Sequence, residues 1–266
     1  MTESERSESY VSGTAELAIE GHRLKVEMTV PTGRTRPSQL LPLFNSVADA
    51  VAAVAASTYE DAGQKISCTK GCGACCRQLV PISGIEARRI RDLVNDMPEP
   101  RQSQIRARFA EARVRLGEAG ILERLLDPSK IAPQTGTEFG IEYLGYGVPC
   151  PFLEDESCSI HEDRPTPCRE YLVVSAPEHC AKPSRDTVRC VKMPVEVSTV
   201  IMRWDSPGSA YMMSWVPLTL ALDWADAHPD ETPPRPGPEL VAEFFSRLSG
   251  KKLEAGTASA RDAQEL

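Results

Sequence analysis

The chain has 266 residues, of which 41% are hydrophobic and 26% charged, and this balance excludes an intrinsically disordered protein. Its formal net charge of -8 at pH 7 excludes general nucleic-acid binding, because such binding needs a basic surface. The polar N-terminus lacks the apolar stretch of a signal peptide, and the longest apolar run, residues 47–56, is too short to cross a bilayer. We therefore expect a cytoplasmic protein that does not contact membranes.

The N-terminal part of the chain changes its hydrophobic period twice. Residues 1–12 are polar and predict a disordered tail. Apolar residues then alternate with polar ones on both sides of Gly21, which predicts a β-hairpin. From residue 38 the apolar residues follow helical spacing, so a helix is predicted over residues 38–62.

A helical insertion is predicted next, between two groups of cysteines. Ser83 and Glu86 form a capping-box pattern, which predicts a helix ending near Asn95. Further helices are predicted at 101–118, 121–126, 198–204, 217–227 and 238–248, a turn-rich stretch at 130–149, and a strand at 189–197. The predicted fold class is α+β and predominantly helical. It forms one domain over residues 13–250, followed by a loose tail at 251–266.

The helical insertion carries many arginines. They are Arg88, Arg89, Arg91, Arg101, Arg106, Arg108, Arg113 and Arg115. Interspersed acidic residues make a solvated helical surface the ordinary interpretation. An anionic partner or substrate is the alternative.

Seven of the nine cysteines fall into two tight groups, which is the main functional signal of the sequence. Four lie within residues 68–76 and three within residues 150–168; the seven are Cys68, Cys72, Cys75, Cys76, Cys150, Cys158 and Cys168. Cytosolic thiols are kept reduced, and an odd number of cysteines cannot all form disulfides in one chain. The clustering therefore predicts a metal centre that both groups share.

Thiolates select zinc, copper(I) or iron–sulfur centres. The spacing of Cys72 and Cys75 is that of a metal knuckle, and Gly71 and Gly73 allow a tight turn around bound sulfur. Neighbouring side chains diverge in extended backbone, so Cys75 and Cys76 do not easily bind one metal ion together. A cluster with several iron atoms accommodates that divergence better, which favours an iron–sulfur cluster over zinc.

Several residues near the second group are candidates for supporting roles. Arg164 and Arg169 flank Cys168 and could donate hydrogen bonds to a thiolate-rich site or bind an anion, with Tyr171 adding a hydroxyl. Surface ion pairs with Glu162, Asp163 and Glu170 are the alternative for these arginines. His161, Cys180 and Cys190 could each be a ligand, but a structural role is the more ordinary interpretation of each.

Four strings in the sequence carry a family resemblance. They are residues 72–76 (CGACC), 150–153 (CPFL), 158–161 (CSIH) and 164–171 (RPTPCREY). In order and spacing they closely resemble the YkgJ-type cysteine-cluster family, described as a zinc- or iron-chelating domain, over a motif core at residues 68–172. The resemblance implies that the seven clustered cysteines are the metal ligands. The chain departs from the family pattern at two places. Three residues rather than two follow Cys68 before the next cysteine, and His161 stands where tyrosine is frequent.

The resemblance implies metal binding without naming a reaction, so three functions stay open. The first is a protein with an iron–sulfur cluster of the 4Fe-4S kind in a structural, redox or electron-transfer role. The second is an S-adenosylmethionine-dependent methyltransferase, because flagellin lysine N-methylase has a similar cysteine cluster. The third is a zinc-stabilised interaction module. A shared motif does not by itself transmit chemistry.

Overall fold

The computed structural model describes residues 9–19, 21–128, 131, 135–184, 186–204 and 214–253. The helices are α1 (Leu41–Asp61), α2 (Gly84–Asn95), α3 (Arg101–Glu118), α4 (Leu122–Leu126), α5 (Gly136–Gly145), α6 (Thr166–Glu170), α7 (Pro177–Ala181), α8 (Val197–Trp204), α9 (Ala221–Ala227) and α10 (Gly237–Ser249). The strands are β1 (Tyr10–Ile19), β2 (His22–Pro31), β3 (Arg34–Thr35), β4 (Pro81–Ile82), β5 (Leu153–Glu154), β6 (Ser157–Cys158), β7 (Val216–Pro217) and β8 (Arg235–Pro236). The α+β, mainly helical class is as predicted.

The predicted N-terminal hairpin packs on a first hydrophobic core. Strands β1 and β2 pair antiparallel, with Ile19 opposite His22 next to a turn in which Gly21 has a φ of 83°. Alternate residues, including Leu17 and Val26, face α1, α8 and α10 in this core. At its centre Phe44 of α1 stacks on Phe244 of α10, with ring centroids 4.2 Å apart. The period-two pattern therefore identified the buried face correctly.

The helical insertion and α9 build a second and a third core. Helices α2 and α3 pack with α9 around residues such as Ile90 and Phe109, and the pair β4–β7 joins this second core. Helices α4 and α5 close a third core around Leu116 and Tyr143. Cys150 and Cys158 pack against the second core, so the cysteine region lies on the helical insertion.

Helix α1 also bears on the question of membranes. Residues Pro37–Asp61, which include a preceding 3-10 turn, are long and apolar enough to cross a bilayer, with a mean hydropathy of 1.5. The apolar segment is therefore longer than the run of residues 47–56 from which we judged it too short to cross a bilayer. Half of its apolar 18-residue window is buried inside the fold.

Three sequence predictions need correction. Strand β1 begins at Tyr10, so residues 10–12 belong to the hairpin rather than to a tail. Residues 136–145 of the turn-rich stretch form helix α5. The strand predicted at 189–197 is reduced to one antiparallel bridge between Val173 and Cys190, because Val197 already begins α8. The tails at residues 1–8 and 254–266 lie outside the described residues.

Candidate metal centre

The first cysteine group lies in a series of turns, and two glycines shape it. Gly71 has a φ of 92°, a backbone conformation that side chains disfavour. Gly73 is buried so closely against the second group that a Cβ there would lie 2.5 Å from the carbonyl oxygen of Glu156. The predicted need for glycine holds at both positions, for two different physical reasons.

The second group is divided between a small hairpin and a short helix. Strands β5 and β6 pair antiparallel around Asp155 and Glu156, whose φ angles of 47° and 56° are left-handed. Cys158 ends β6, and Cys168 lies in the middle of α6. The chain between them therefore turns back so that all three cysteines can face the first group.

Backbone hydrogen bonds join the two groups at both ends. The Cys150 amide donates to the Cys76 carbonyl at 2.7 Å, and the Ser67 amide donates to the Val173 carbonyl at 2.9 Å. The Val173 amide also lies 3.3 Å from Sγ of Cys68. The insertion of about 70 residues is thus closed at its base, which brings distant cysteines together.

The thiols influence one another electrostatically. Burial, with smaller contributions from the neighbouring Cys158 and Cys75, raises the pKa of Cys150 to about 12. Burial also raises the pKa of Cys168 well above its usual range, with added repulsion from Cys150, Cys75 and Cys158. Repulsion of this kind requires proximity, so thiols of both groups lie in one neighbourhood.

Cys75 and Cys76 do not diverge as the sequence suggested. Residues 74–77 form a turn rather than extended backbone. Interaction between the two neighbouring thiols lowers the pKa of Cys75 and raises the pKa of Cys76. Both side chains also interact with thiols of the second group. Divergence in extended backbone is therefore not a reason to prefer one metal.

The chemistry of this donor set fits a thiolate-bound metal centre. The seven thiols are all half-buried, and thiolates bind zinc and iron–sulfur clusters. Within the described residues, however, no three His, Cys, Asp or Glu side chains already form a group able to hold a metal ion. Metal binding would require these thiols to lose protons and move together.

Two buried carboxylates hold the helix that carries Cys168. Oε1 of Glu86 accepts from the Thr166 amide at 2.8 Å, while Oε2 accepts from the Ser83 amide at 2.9 Å. At the other end of α6, Glu170 accepts from the amides of Val197 and Ser198 at the start of α8. The capping-box pattern predicted that Glu86 lies at the start of α2. Nothing in the sequence predicted the hydrogen bond that Glu86 accepts from the Thr166 amide.

The two arginines beside Cys168 have different surroundings. Arg169 is 6% exposed and donates to the carbonyls of Arg164 and Glu162 and to the Asp49 carboxylate. The guanidinium of Arg164 influences the pKa of Cys68, Cys75 and Cys158.

The acidic side chains proposed as partners of these two arginines bind elsewhere. Glu162 pairs with Lys70 at 3.3 Å, and Asp163 pairs with Arg89 at 3.8 Å. Glu170 binds the start of α8. The surface-pair alternative therefore does not describe this region.

The remaining candidates divide by position. Cys180 is buried. This burial, together with the thiols of Cys68, Cys75 and Cys72, raises the pKa of Cys180 to about 11. Cys190 is exposed, and burial raises the pKa of the nearby Tyr171. Nδ1 of His161 is buried without a hydrogen-bond partner among the described residues. Burial, followed by the nearby Arg164, lowers the pKa of His161.

The arginines of the helical insertion all have partners inside the chain. Arg101 and Arg108 share Glu154, and Arg113 pairs with Asp223 at 2.9 Å. The others bind carbonyls or side chains; they are Arg88, Arg89, Arg91, Arg106 and Arg115. An anionic partner at this surface stays a prediction.

Comparison with known proteins agrees with this site. Residues 67–190 match the model of a family named CxxCxxCC, described as a "putative zinc- or iron-chelating domain". The cysteine-rich part of the chain is therefore similar to this family over residues 67–190, as the motifs indicated. No curated protein and no solved structure matches the chain.

Proposed function

We propose that the chain is an iron–sulfur protein whose centre is held by thiolates from residues 68–76 and 150–168. The observation that carries this proposal is the backbone hydrogen bond from the Cys150 amide to the Cys76 carbonyl, because that bond fixes the two cysteine groups against each other. The mutual influence of thiols from both groups, as at Cys168, supports it. The match of residues 67–190 to a zinc- or iron-chelating domain agrees with a metal at this place.

The number of thiols supports a centre with several metal atoms. One tetrahedral zinc takes four ligands, fewer than the seven cysteines in the two groups. A polynuclear centre can use both Cys75 and Cys76, because adjacent thiolates can bind different metal atoms. We favour iron with inorganic sulfide, since a thiolate-only donor set is typical of such clusters.

The position of the site supports a redox, electron-transfer or structural role. All seven cysteines are half-buried, so the centre would lie close to the surface, where electrons can be exchanged with a partner. The second core packs directly behind Cys150 and Cys158 and would exclude water from that side. A cytoplasmic location, where thiols remain reduced, is part of this proposal.

The test is anaerobic purification of the full chain, followed by iron, zinc and acid-labile sulfide analysis. We expect iron and sulfide in similar molar amounts and a brown protein with a broad visible absorption. Zinc at one or two equivalents, with no sulfide after anaerobic reconstitution, would instead support a zinc-stabilised module and contradict our proposal.

Single serine variants test which thiols bind the metal. Variants C72S, C75S, C150S, C158S and C168S should lose most of the bound metal, because a ligand is lost in each. The matched control is C190S, which should keep it because Cys190 is exposed outside the group. Full metal retention in both C72S and C168S would show that the two groups do not share one site.

A further inference from the structure

Arg164 and Arg169 lie on either side of Cys168, yet the structure gives them unequal bonding. Nε of Arg169 donates to the Arg164 carbonyl at 2.8 Å, and its two other nitrogens donate to Asp49 and to the Glu162 carbonyl. All three nitrogens of this guanidinium thus bind protein acceptors. Arg169 ties the turn before α6 to helix α1.

The guanidinium of Arg164, in contrast, is not fully hydrogen-bonded. Its Nε is buried and has no hydrogen-bond partner within the described residues. The acidic residues that neighbour Arg164 in sequence pair with other side chains, Glu162 with Lys70 and Asp163 with Arg89, and Asp49 pairs with Arg169. Leaving a buried donor unpaired is unfavourable, and more so when the group is charged. Such a donor requires an acceptor that the described side chains do not supply.

The backbone of Arg164 is held firmly. Its carbonyl accepts from Arg169, and two residues further on the Thr166 amide is held by Glu86. Pro165 lies between them and restricts the backbone further. The side chain of Arg164 therefore starts from a fixed point between Cys158 and Cys168.

The buried Nε of Arg164 and its fixed backbone place the guanidinium in the region of the two cysteine groups. Its positive charge acts on thiols of both groups, since it opposes the rise that burial causes in the pKa of Cys158 and of Cys68.

We infer that Arg164 donates its Nε hydrogen to a sulfur atom of the metal centre and raises the centre's reduction potential, whereas Arg169 only fixes the surrounding backbone. This inference rests on the proposed iron–sulfur function. The acceptor is a cysteine thiolate or an inorganic sulfide, both of which accept hydrogen bonds. Such bonds, like nearby positive charge, favour the more negative reduced state of a cluster.

The experiment compares R164Q, R164K and R169Q in the anaerobically reconstituted full chain. Iron and sulfide are measured first, and the midpoint potential is then followed in an optical redox titration. R164Q should keep its iron and titrate at a more negative potential than the wild type. R164K keeps the charge but loses the fixed Nε donor, so its potential should fall between the two.

R169Q is the control for a purely structural role. It should unfold at a lower temperature, while any cluster that it retains titrates at the wild-type potential. An unchanged potential in R164Q at full iron content would overturn the inference, as would equal shifts in R164Q and R169Q. If R164Q loses its cluster, a wild-type potential in R164K overturns it. A wild-type protein without iron and sulfide contradicts the proposed function before any potential is measured.

Discussion

Single residues at the candidate centre act mainly by permitting or forbidding close contact. Gly73 is buried against the hairpin that carries Cys158, and the ion pair between Arg77 and Glu156, with a shortest distance of 2.6 Å, lies beside that contact. The contact sets how closely the two cysteine groups approach. A side chain at residue 73 would separate them, because the obstructing atoms belong to the backbone of Glu156.

The residue-scale prediction follows from that contact. G73A should reduce the free energy of unfolding by about 1–3 kcal/mol, the usual cost of overpacking, and should weaken metal binding as well. Gly33 provides the matched control, because a Cβ there meets nothing within 4 Å. Urea unfolding of G73A and G33A measures the difference. Equal stability of the two variants would show that the contact at Gly73 is not tight in solution.

At the scale of elements, the short helix α6 depends on its neighbours. Five residues are too few for a stable isolated helix, so its position must come from tertiary bonds. Glu86 holds its beginning, and Glu170 links its end to α8. Burial raises the pKa of both carboxylates, to about 7 for Glu170. Glu86 thus connects helix α2 of the second core to α6, and Glu170 connects helix α8 of the first core to α6.

We predict that E86A destabilises the protein by roughly 2–4 kcal/mol. This sum combines the loss of a helix cap with the unpaired amide of Thr166. E86Q keeps one acceptor oxygen and should cost less. Thermal unfolding with circular dichroism compares the two with the wild type. A larger loss in E86Q than in E86A would contradict the proposed bonding.

At the scale of the whole molecule, the parts of the fold differ in how many buried apolar contacts stabilise them. The first core, built from the hairpin, α1, α8 and α10, contains large aromatic contacts and none of the clustered cysteines. The cysteine groups lie in turns, a two-residue hairpin and α6, where few apolar side chains are buried. Metal should therefore stabilise these parts unequally.

Hydrogen exchange should reveal that inequality. After metal removal, amides of residues 67–76 and 150–173 should exchange at least about tenfold faster, because metal binding and local folding are coupled. Amides of α1 should change little. Equal acceleration in both regions would mean that the centre and the first core unfold as one unit.

Much of this protein could be predicted from local sequence. The hairpin, α1, the capping box at Ser83 and the cysteine-rich family all follow from period, spacing and residue type, which are local properties. Other features depend on residues far apart in the chain. They include the bond from Cys150 to Cys76 and the reach of Glu86 to Thr166.

The same distinction separates the two arginines beside Cys168. Their sequence positions gave them the same expected role, but only the tertiary structure shows that Arg169 is fully bonded and that Nε of Arg164 is not. Turn geometry likewise brought Cys75 and Cys76 together, although alternation in an extended chain predicted divergence. The sequence determined which atoms can bind a metal. The packing of distant segments decided which of them meet, because hydrogen bonding and burial depend on distance in space.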